Sequence, residues 1–351
     1  MSFRCRCVVA VAAGLLAAAP GWSMSAPVRP PKSPIIGPDT TGAAGGMGRQ
    51  WDQPVYPRSI EEIRATIRRI GSMPVRTVGS APARDALQGV HVRGDRPADR
   101  EDALRTLMIY RYLADVPWED LALDHGLNAY ANAGSELMAA ARRFSHHPPN
   151  PGWPREAYNY AHKATSSSNL CMSSRSSLVH AIHEYFDDSD PTNIWRLGHR
   201  RWALNPQMAR TGMGGVDAYT SMWAYDRSRE DVPDYDYVAF PPRGYMPLKY
   251  FGKHYAWNVS LNPDKYRRPE HGKVTVRVHK ADRNGRKTGN GVRLNYTKVN
   301  NEWCGVRYCV IFRPRLWVLL PGDRFVVAID GLEKTDGTPA SIEYVVEFFN
   351  L

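Results

Sequence analysis

Three short polar segments of the chain concentrate the side chains that could do chemistry. Their sequences are FSHHPP (144–149), SSNLC (167–171) and YFDDSDPTNIWRLGHRRWALNP (185–206). His146 and His199 lie in the first and third of these segments. Together with a carboxylate from Asp187 or Asp188, they are the side-chain types that bind Zn²⁺. The spacing alone leaves two interpretations open, because such distant histidines form one site only if the fold brings them together. Otherwise they are separate surface or capping residues.

Other polar patterns in the sequence are weaker indicators of a catalytic or metal-binding site. The serine run SSSNLCMSSRSS has no G-x-S-x-G elbow, so we expect a polar loop and a helix cap, with the Ser168 hydroxyl as a residual candidate in a cleft. HAIHE (180–184) is neither HExxH nor HxxEH, which favours a solvated helix face. Arg200, Arg201 and Trp202 either bind an anionic or sugar ligand, or pair with nearby carboxylates while the indole packs into the core.

The N-terminus predicts export. Residues 1–26 combine basic residues at Arg4 and Arg6, an apolar run over 8–19 and small residues near a cleavage site, as in a secretory signal peptide. A buried N-terminal helix is the alternative. The apolar run is too short to span a bilayer. We therefore expect a secreted or periplasmic protein that is not an integral membrane protein.

The cysteines are interpreted in the light of that compartment. Cleavage would remove Cys5 and Cys7. In an oxidising environment Cys304 and Cys309 can form a disulfide across WCGVRYC, and two reduced core cysteines are the alternative. Cys171 would then have no intramolecular partner, and we expect it to be buried.

Size and composition fit two globular domains with a basic surface. The chain has 351 residues, of which 43% are hydrophobic, and a formal net charge of +11. A positive exported protein is attracted to anionic cell-wall polymers, lipid headgroups or nucleic acid. No nucleic-acid-binding module accompanies the charge, so we expect an extracellular or cell-envelope ligand and no nucleic acid. The composition indicates no particular oligomeric state.

Helical periodicity dominates the first two thirds of the chain. We expect a Pro/Gly-rich linker over 27–98 that contains a short helix capped by Ser59, and a stronger helix from Glu101. Asp124 is the predicted N-cap of the next helix, and a third helix spans about 176–186. TGMGGVDAY and SMWAYD then predict two strands of one small antiparallel unit.

The chain therefore divides into an α+β layered domain over 99–228 and a β-domain over 235–351. In the second domain, short segments alternate or run apolar between turn residues, as in an immunoglobulin-like β-sandwich. These segments are HYAWNVSL, KVTVRVHK, VRLNYTKV, YCVIF, RLWVLL, RFVVAI and IEYVVEFF. NVS at Asn258 and NYT at Asn295 also match the pattern of a glycosylation sequon.

The order of the motifs resembles that of a known family. SELMAAARRFSHHPP, SSNLC, YFDD and GHRRWALNP, followed by TGMGG, resemble the CAP superfamily of cysteine-rich secretory and pathogenesis-related proteins. The resemblance covers roughly 99–227 and looks closest to bacterial secreted members in which a β-rich domain follows. AFPPRGYMPLKY and AWNVSLN resemble the opening of that appended sandwich. The resemblance implies an α+β fold, with a CAP-type α-β-α layered domain followed by an immunoglobulin-like all-β sandwich.

The resemblance also implies a central cleft. In the family, a helix-end histidine, two acidic residues and the histidine of a GH motif line that cleft, and some members bind a divalent metal there. His146 matches the first histidine and His199 the second, and Asp188 falls where a glutamate follows the aromatic residue of the third helix. The other glutamate, which belongs to a GEN motif, is absent, and Ser168 stands before Asn169 here. This departure removes a candidate base for acid–base catalysis. The resemblance therefore implies a cleft lined by His146, Ser168, Asn169, Asp188 and His199.

Two functions follow as expectations. The first is a non-enzymatic secreted protein whose cleft binds a small ligand, an extracellular partner or a divalent metal such as Zn²⁺ held by His146 and His199. The alternative is a metal-dependent hydrolase of peptide or cell-wall substrates, in which Asp188 would be the base that activates a metal-bound water. A purely structural scaffold is a third interpretation, in which both histidines can be lost without effect on a ligand.

Overall fold

The structure is a computed structural model, and it describes residues 6–8, 56–80, 97–174 and 177–351. Most of the predicted signal peptide and of the predicted linker lies outside these residues. Among the described residues, no helix combines the length and apolar character needed to cross a bilayer.

Helices dominate the first half of the described chain. They are α1 (Ile60–Ser72), α2 (Pro97–Leu113), α3 (His125–Ala140), α4 (Arg155–Ser166), α5 (Leu178–Asp187) and α6 (Gly198–Ala203), with a 3₁₀ turn at Leu248–Tyr250. The predicted caps of α1 and α3 are confirmed. Ser59 and Glu62 form a reciprocal capping box, and the Asp124 carboxylate accepts a hydrogen bond from the backbone N–H of Leu127.

Sixteen strands are present in the described residues. They are β1 (Arg6–Val8), β2 (Thr77–Val78), β3 (Ala122–Asp124), β4 (Ser168–Met172), β5 (Arg210–Thr211), β6 (Met213–Val216), β7 (Tyr219–Trp223), β8 (Tyr237–Phe240), β9 (Gly244–Pro247), β10 (Trp257–Leu261), β11 (Thr275–Ala281), β12 (Lys287–Thr288), β13 (Leu294–Asn300), β14 (Cys309–Pro314), β15 (Arg324–Glu333) and β16 (Pro339–Phe349). β1 lies within the segment predicted as a signal peptide.

The helical half is organised around a sheet with the strand order β1-β4-β7-β6. All its pairs are antiparallel, and β6 and β7 form the hairpin that the sequence predicts. A Cβ on Gly214 would lie 2.2 Å from the backbone nitrogen of Asn132 in α3, whereas one on Gly215 would lie 3.4 Å from Leu178 in α5. Because successive residues of a strand face opposite sides of a sheet, α3 and α5 cover its two faces.

Two larger sheets form the C-terminal half. Their strand orders are β13-β14-β10-β8 and β12-β11-β15-β16-β9, and only the β16-β9 pair is parallel. The fully buried Trp257 of the first sheet contacts Phe325 and Phe348 of the second, with ring centroids 5.6 and 6.0 Å apart. The two sheets therefore pack against each other in a sandwich-like arrangement. A small parallel sheet, β2-β3-β5, joins the N-terminal and helical segments.

The main apolar core is continuous between the two halves. Tyr110 of α2 stacks on Phe186 of α5 at 3.8 Å, and Phe186 lies 5.5 Å from Phe240 of β8. Tyr110 also makes an edge contact with Tyr250 at 5.3 Å. Burying these aromatic faces together couples the stability of the helical half to that of the sandwich-like half.

Three elements differ from the sequence predictions. α4 was not predicted, although Ala157, Ala161 and Ala164 form its buried stripe. SSNLC is not a loop but strand β4, which is hydrogen-bonded to β7. RLWVLL, predicted as a strand, instead forms an exposed loop after β14. The segment is apolar as a strand would be, but only Leu316 and Leu319 pack on the core, and Trp317, Val318 and Leu320 face solvent.

Candidate functional site

The centre of the candidate site is a buried pair of His199 and Asp188. Asp188 ends α5 and His199 lies in the first turn of α6, so a short loop returns the chain between them. The Nδ1 of His199 lies 2.7 Å from Oδ1 of Asp188, and both side chains are completely buried. Because a carboxylate oxygen accepts, the imidazole Nδ1–H donates this bond, which orients the ring.

The backbone conformation at Asp188 and before α6 brings the side chains of Asp188 and His199 together. Asp188 has φ 43° and Leu197, which precedes α6, has φ 48°, so both are in the left-handed region. An aspartate tolerates this region, but for leucine it costs free energy. The sharp turn lets Oδ2 of Asp188 accept the backbone N–H of Arg200 at 3.3 Å. Non-glycine residues held in strained conformations are found preferentially at functional sites.

The electrostatics of Asp188 follow from its burial. Removal from water raises the pKa of the carboxyl group above its ordinary value, because the charged form loses hydration. The hydrogen bond and charge of His199, and the nearby Arg200, oppose that shift. The carboxylate therefore depends on its two hydrogen bonds to remain ionised in this environment.

His146 is held by a different element. Its Nδ1 lies 2.6 Å from the carbonyl oxygen of Thr165 at the end of α4, so this nitrogen also donates. The Thr165 hydroxyl returns a bond of 2.9 Å to the carbonyl of His146. In both histidines, Nδ1 thus forms a hydrogen bond with another part of the protein.

Strand β4 lies between these two anchors in the sequence. Asn169 donates from Nδ2 to the carbonyl of His199 at 2.9 Å, and its own carbonyl accepts the Tyr185 hydroxyl at 3.0 Å. The Tyr185 ring stacks on His199 with centroids 5.4 Å apart. Ser168 is 3% exposed, and within the described residues its Oγ has no hydrogen-bond partner.

The five residues predicted to line a cleft are enclosed. His146, Ser168, Asn169, Asp188 and His199 are each at most 4% exposed. Hydrogen bonds link Asp188, His199 and Asn169 into one network, and His146 is tied to the segment just before β4. A ligand at these residues would be surrounded by protein, unlike one in an open groove.

The donor set does not form a complete metal centre. In the described part of the chain, no group of three or more His, Cys, Asp or Glu side chains is placed to hold a metal ion. The one carboxylate of the set, Asp188, is used by His199 and the Arg200 backbone. Only His146 and His199 would remain as ligands, and catalytic zinc sites use three protein ligands. The described residues therefore do not fit a catalytic zinc site.

The two arginines of α6 have a structural role. Arg200 donates to the carbonyls of Phe186, Asp187 and Ala256 and to Oδ1 of Asn258, at 2.6–2.9 Å. Both Arg200 and Arg201 are at most 1% exposed. Within the described residues, their guanidinium groups donate to backbone carbonyls and amide oxygens, while the predicted carboxylates of Asp187 and Asp188 act on Arg200 through their charge.

Arg201 makes the same kind of contact with the sandwich-like half. Its guanidinium donates to the carbonyls of Val306, Arg196 and Glu302 and to Oδ1 of Asn300. Because its acceptors lie on both halves of the molecule, Arg201 links the two halves.

Trp202 is 2% exposed, and its ring lies 4.3 Å from that of Tyr225 and 4.9 Å from that of Trp303. The interpretation in which the indole packs into the core is therefore confirmed. The indole of Trp202 is not displayed as a platform for a sugar.

The predicted disulfide is absent from the structure. Cys304 and Cys309 are buried free thiols, and Cys171 is also buried, as expected. Cys304 packs with Trp202 and Ala224, whereas Cys309 on β14 belongs to a separate apolar cluster. Burial raises the pKa of both thiols, which disfavours the thiolate needed for exchange. The alternative, two reduced core cysteines, describes the structure.

One of the two predicted glycosylation sites is not accessible in the structure. Asn258 is 1% exposed on β10 and accepts from Arg200, so it is not accessible to glycosylation. Asn295 is exposed on β13. The pattern alone could not distinguish them, because an N-x-S/T triplet carries no information about which face of a sheet its asparagine occupies.

Two buried polar groups were missed by the sequence reasoning. Glu136, in the middle of α3, is 5% exposed, and Arg111 of α2 is completely buried. Arg111 donates to carbonyls at the end of α6, including those of Ala203 and Asn205. A charged residue inside an apolar helical stripe is the sequence signal that could have identified both.

Comparison of the chain with known proteins found no matching family model, no matching curated protein and no matching solved structure.

Proposed function

We propose that this chain is a secreted CAP-type protein that binds a small ligand and does not convert it chemically. The observation that carries this proposal is the state of Asp188. Both of its oxygens are engaged, one by His199 and one by the backbone of Arg200, and the side chain is completely buried. A carboxylate held in this way orients a histidine and stabilises a turn. It is poorly placed to take a proton from a substrate or a water.

The architecture supports the family assignment within this proposal. α3 and α5 lie on opposite faces of the sheet that contains β4, β7 and β6, the strands that would remain after cleavage of residues 1–26, and this is the α-β-α layering that the CAP resemblance implies. Two mostly antiparallel sheets follow, as in an immunoglobulin-like sandwich. Of the motif residues, His146 lies in the loop between α3 and α4, Asp188 caps the end of α5, and His199 lies in α6 and is bonded through its carbonyl to Asn169 of β4. These positions are where the resemblance places a binding site.

The chemistry of the ligand follows from the polar groups at the start of β4. Ser168 presents a buried hydroxyl that has no protein partner among the described residues, and such a group costs free energy unless something satisfies it. His146 and His199 contribute imidazole rings whose Nδ1 atoms are held by the Thr165 carbonyl and by Asp188. Asn169 and Tyr185 hold the strand and the His199 ring in place. A small polar molecule with hydroxyl or carbonyl groups would complement this set.

The proposal is tested on material that has been purified without added ligand. Native mass spectrometry of the parent chain is expected to detect a stoichiometric small molecule that is lost on denaturation. Ser168→Ala should lose or weaken its retention, because the hydroxyl that contacts the ligand is gone. Ser166→Ala is the matched control, since its hydroxyl bonds an exposed backbone carbonyl of α4 and should not affect retention.

A structural scaffold would give a different result. If Ser168 has no ligand, removing its unsatisfied hydroxyl leaves stability unchanged or increases it, and no molecule is retained by either protein. That result would contradict the proposal. So would hydrolysis of peptide or cell-wall material by the parent chain that a chelator stops and Asp188→Asn abolishes, because that pattern belongs to the hydrolase alternative.

A further inference from the structure

The loop over residues 315–320 displays apolar side chains to solvent. Trp317 is 78% exposed, Val318 58% and Leu320 56%. Across the described residues only one other large apolar side chain is exposed, that of the terminal Leu351. Contiguous exposed apolar surface is uncommon on a protein that acts alone in water, and it marks a surface that another molecule covers.

Contacts within the fold hold this loop in place. Leu316 and Leu319 of the same loop pack against the main core, so the loop is anchored while its other residues face outward. The backbone is also fixed. Lys253 donates from Nζ to the carbonyl of Trp317 at 3.0 Å, and Asp323 accepts the backbone N–H of Leu320 at 2.8 Å. The outward side chains therefore occupy defined positions.

The surface beside the loop is basic. A cavity of about 170 Å³ is lined by Lys253, His254, Asn295, Arg313, Pro314, Arg315 and Leu316. The Arg315 guanidinium lies 5.4 Å from the ring of Trp317. Three carboxylates are close to this surface, and each is already engaged. Glu184, which acts on His254 through its charge, lies 3.5 Å from Nε2 of His180. Asp187 bonds His254, and Asp323 bonds the loop backbone. The basic groups thus outnumber the acidic groups next to the exposed apolar side chains.

We propose that this loop attaches the protein to the surface of an anionic phospholipid bilayer. Trp317, Val318 and Leu320 would enter the boundary between headgroups and acyl chains, where an indole is favoured because one part is apolar and one part donates a hydrogen bond. Arg313, Arg315 and Lys253 would contact lipid phosphates. The net positive charge, +11 for the whole chain and +9 without residues 1–26, which contain Arg4 and Arg6 (44 Lys+Arg against 35 Asp+Glu), adds a long-range attraction to the same surface.

The charges favour a bilayer over other occupants. A second copy of the chain placed on this loop would bring the same basic side chains against one another, which costs free energy. A polysaccharide would use the indole of Trp317, but it would leave the aliphatic Val318 and Leu320 in water. An anionic bilayer accommodates both features, because its surface is negative and its interior is apolar.

The proposal is tested by co-sedimentation of the full chain with vesicles. Vesicles of phosphatidylcholine alone are compared with vesicles that also contain phosphatidylglycerol. We expect binding to the second kind, weakened by salt. The triple variant Trp317→Ser/Val318→Ser/Leu320→Ser should bind these vesicles at least about tenfold more weakly than the parent. Leu351→Ser is the matched control, since it removes an exposed apolar side chain elsewhere and should leave binding unchanged.

A second measurement reports insertion directly. Brominated lipids quench an indole that lies at the acyl boundary, so vesicles containing them should quench part of the parent fluorescence. Trp317→Phe keeps an apolar ring at this position and should retain binding, while that part of the quenching is lost. Thermal melting checks that each variant is folded.

Other outcomes would overturn the inference. Equal vesicle binding by the parent and the triple variant would show that the loop is not the contact. Absence of binding to either kind of vesicle would exclude the bilayer. A dimer that forms with rising concentration and is lost in the triple variant would identify a second copy as the occupant. Binding to an anionic polysaccharide but not to vesicles would identify that class instead.

Discussion

The surroundings of α6 and the loop over residues 315–320 place their side chains in opposite ways: charged side chains are buried around α6, and apolar side chains are exposed in the loop. Around α6, the charged side chains of Arg200 and Arg201 are buried, and their guanidinium groups donate to several carbonyl and amide oxygens. In the loop, large apolar side chains such as Trp317 are exposed. Both arrangements are unusual, because charges are normally solvated and indoles are normally covered.

The difference lies in whether the chain itself compensates the cost. Each buried arginine replaces the hydrogen bonds of water with bonds to carbonyls from both halves of the molecule, so the cost is offset internally. The loop has no such compensation within the described residues. The first region therefore stabilises the fold, whereas the second has apolar surface available for contact with another molecule.

The largest expected effect comes from removing an arginine of α6. Arg201→Met keeps an unbranched side chain but removes the guanidinium, which leaves four acceptors without a donor, three of them buried, including the carbonyl of Val306. We expect a loss of about 3–5 kcal/mol in the free energy of unfolding, measured by urea denaturation. Arg307→Met, at an exposed position, should stay within about 0.5 kcal/mol of the parent. Equal stability of both variants would remove the distinction between the two regions.

Asp188 tests how the candidate site depends on its backbone. Asp188→Asn tolerates the left-handed conformation but weakens the bond to His199, so we expect a loss of about 1–2 kcal/mol. Asp188→Ala loses the same bond and adds the strain of a Cβ residue at φ 43°, for roughly 1 kcal/mol more. Denaturation of the two variants side by side measures the difference. If alanine and asparagine cost the same, the left-handed turn is not under strain.

Adjacent residues of the loop give a sharper test. Leu319 packs on the core and Val318 faces solvent. Leu319→Ser should therefore lower the free energy of unfolding by about 1–2 kcal/mol, since it removes partly buried apolar surface. Val318→Ser should change it by no more than about 0.5 kcal/mol. The melting temperatures of the two variants provide the measurement, and a reversed order would mean that the loop is anchored by its outer residues.

The smallest expected effect concerns His254, which links the end of α5 to the basic surface beside the loop. Its hydrogen bond with Asp187, 3.0 Å long, raises its pKa above the ordinary value. A raised pKa in the folded state means that the protonated form stabilises the fold. This contribution is complete below about pH 6.5 and is lost as the pH rises through the folded-state pKa.

Because the His254 side chain is 65% exposed, its contribution should not exceed about 0.5 kcal/mol. A proton NMR titration of the imidazole gives the pKa directly. His254→Gln should abolish the pH-dependent part of the stability difference, and an unshifted titration would show that the pair does not form in solution.

Much of the local structure could be predicted from the sequence. α2, α3 and α5 follow from apolar residues at helical spacing, and α3 also from the predicted cap Asp124, because these signals act over a few neighbouring residues. The alternation of β10, β11, β15 and β16 predicts strands for the same reason. The three polar segments also supply every residue of the candidate site.

Longer-range features could not be predicted in this way. SSNLC contains serines and an asparagine typical of a loop, yet it becomes β4 because β7 pairs with it. The RLWVLL segment has the apolar composition of a strand, yet no neighbouring strand pairs with it among the described residues. Propensity describes the cost of a conformation, and pairing with a distant strand can outweigh it.

The sequence by itself determined which residues are chemically capable: two histidines, an aspartate, a cluster of arginines and an apolar segment with a tryptophan. Only the tertiary structure decided their roles. It paired Asp188 with His199, buried Arg200 and Arg201 among carbonyls of the other half, and turned Trp317 outward. The physical reason is that burial and hydrogen-bond partners come from residues distant in the chain, and these set whether a side chain stabilises the fold or remains available to a ligand.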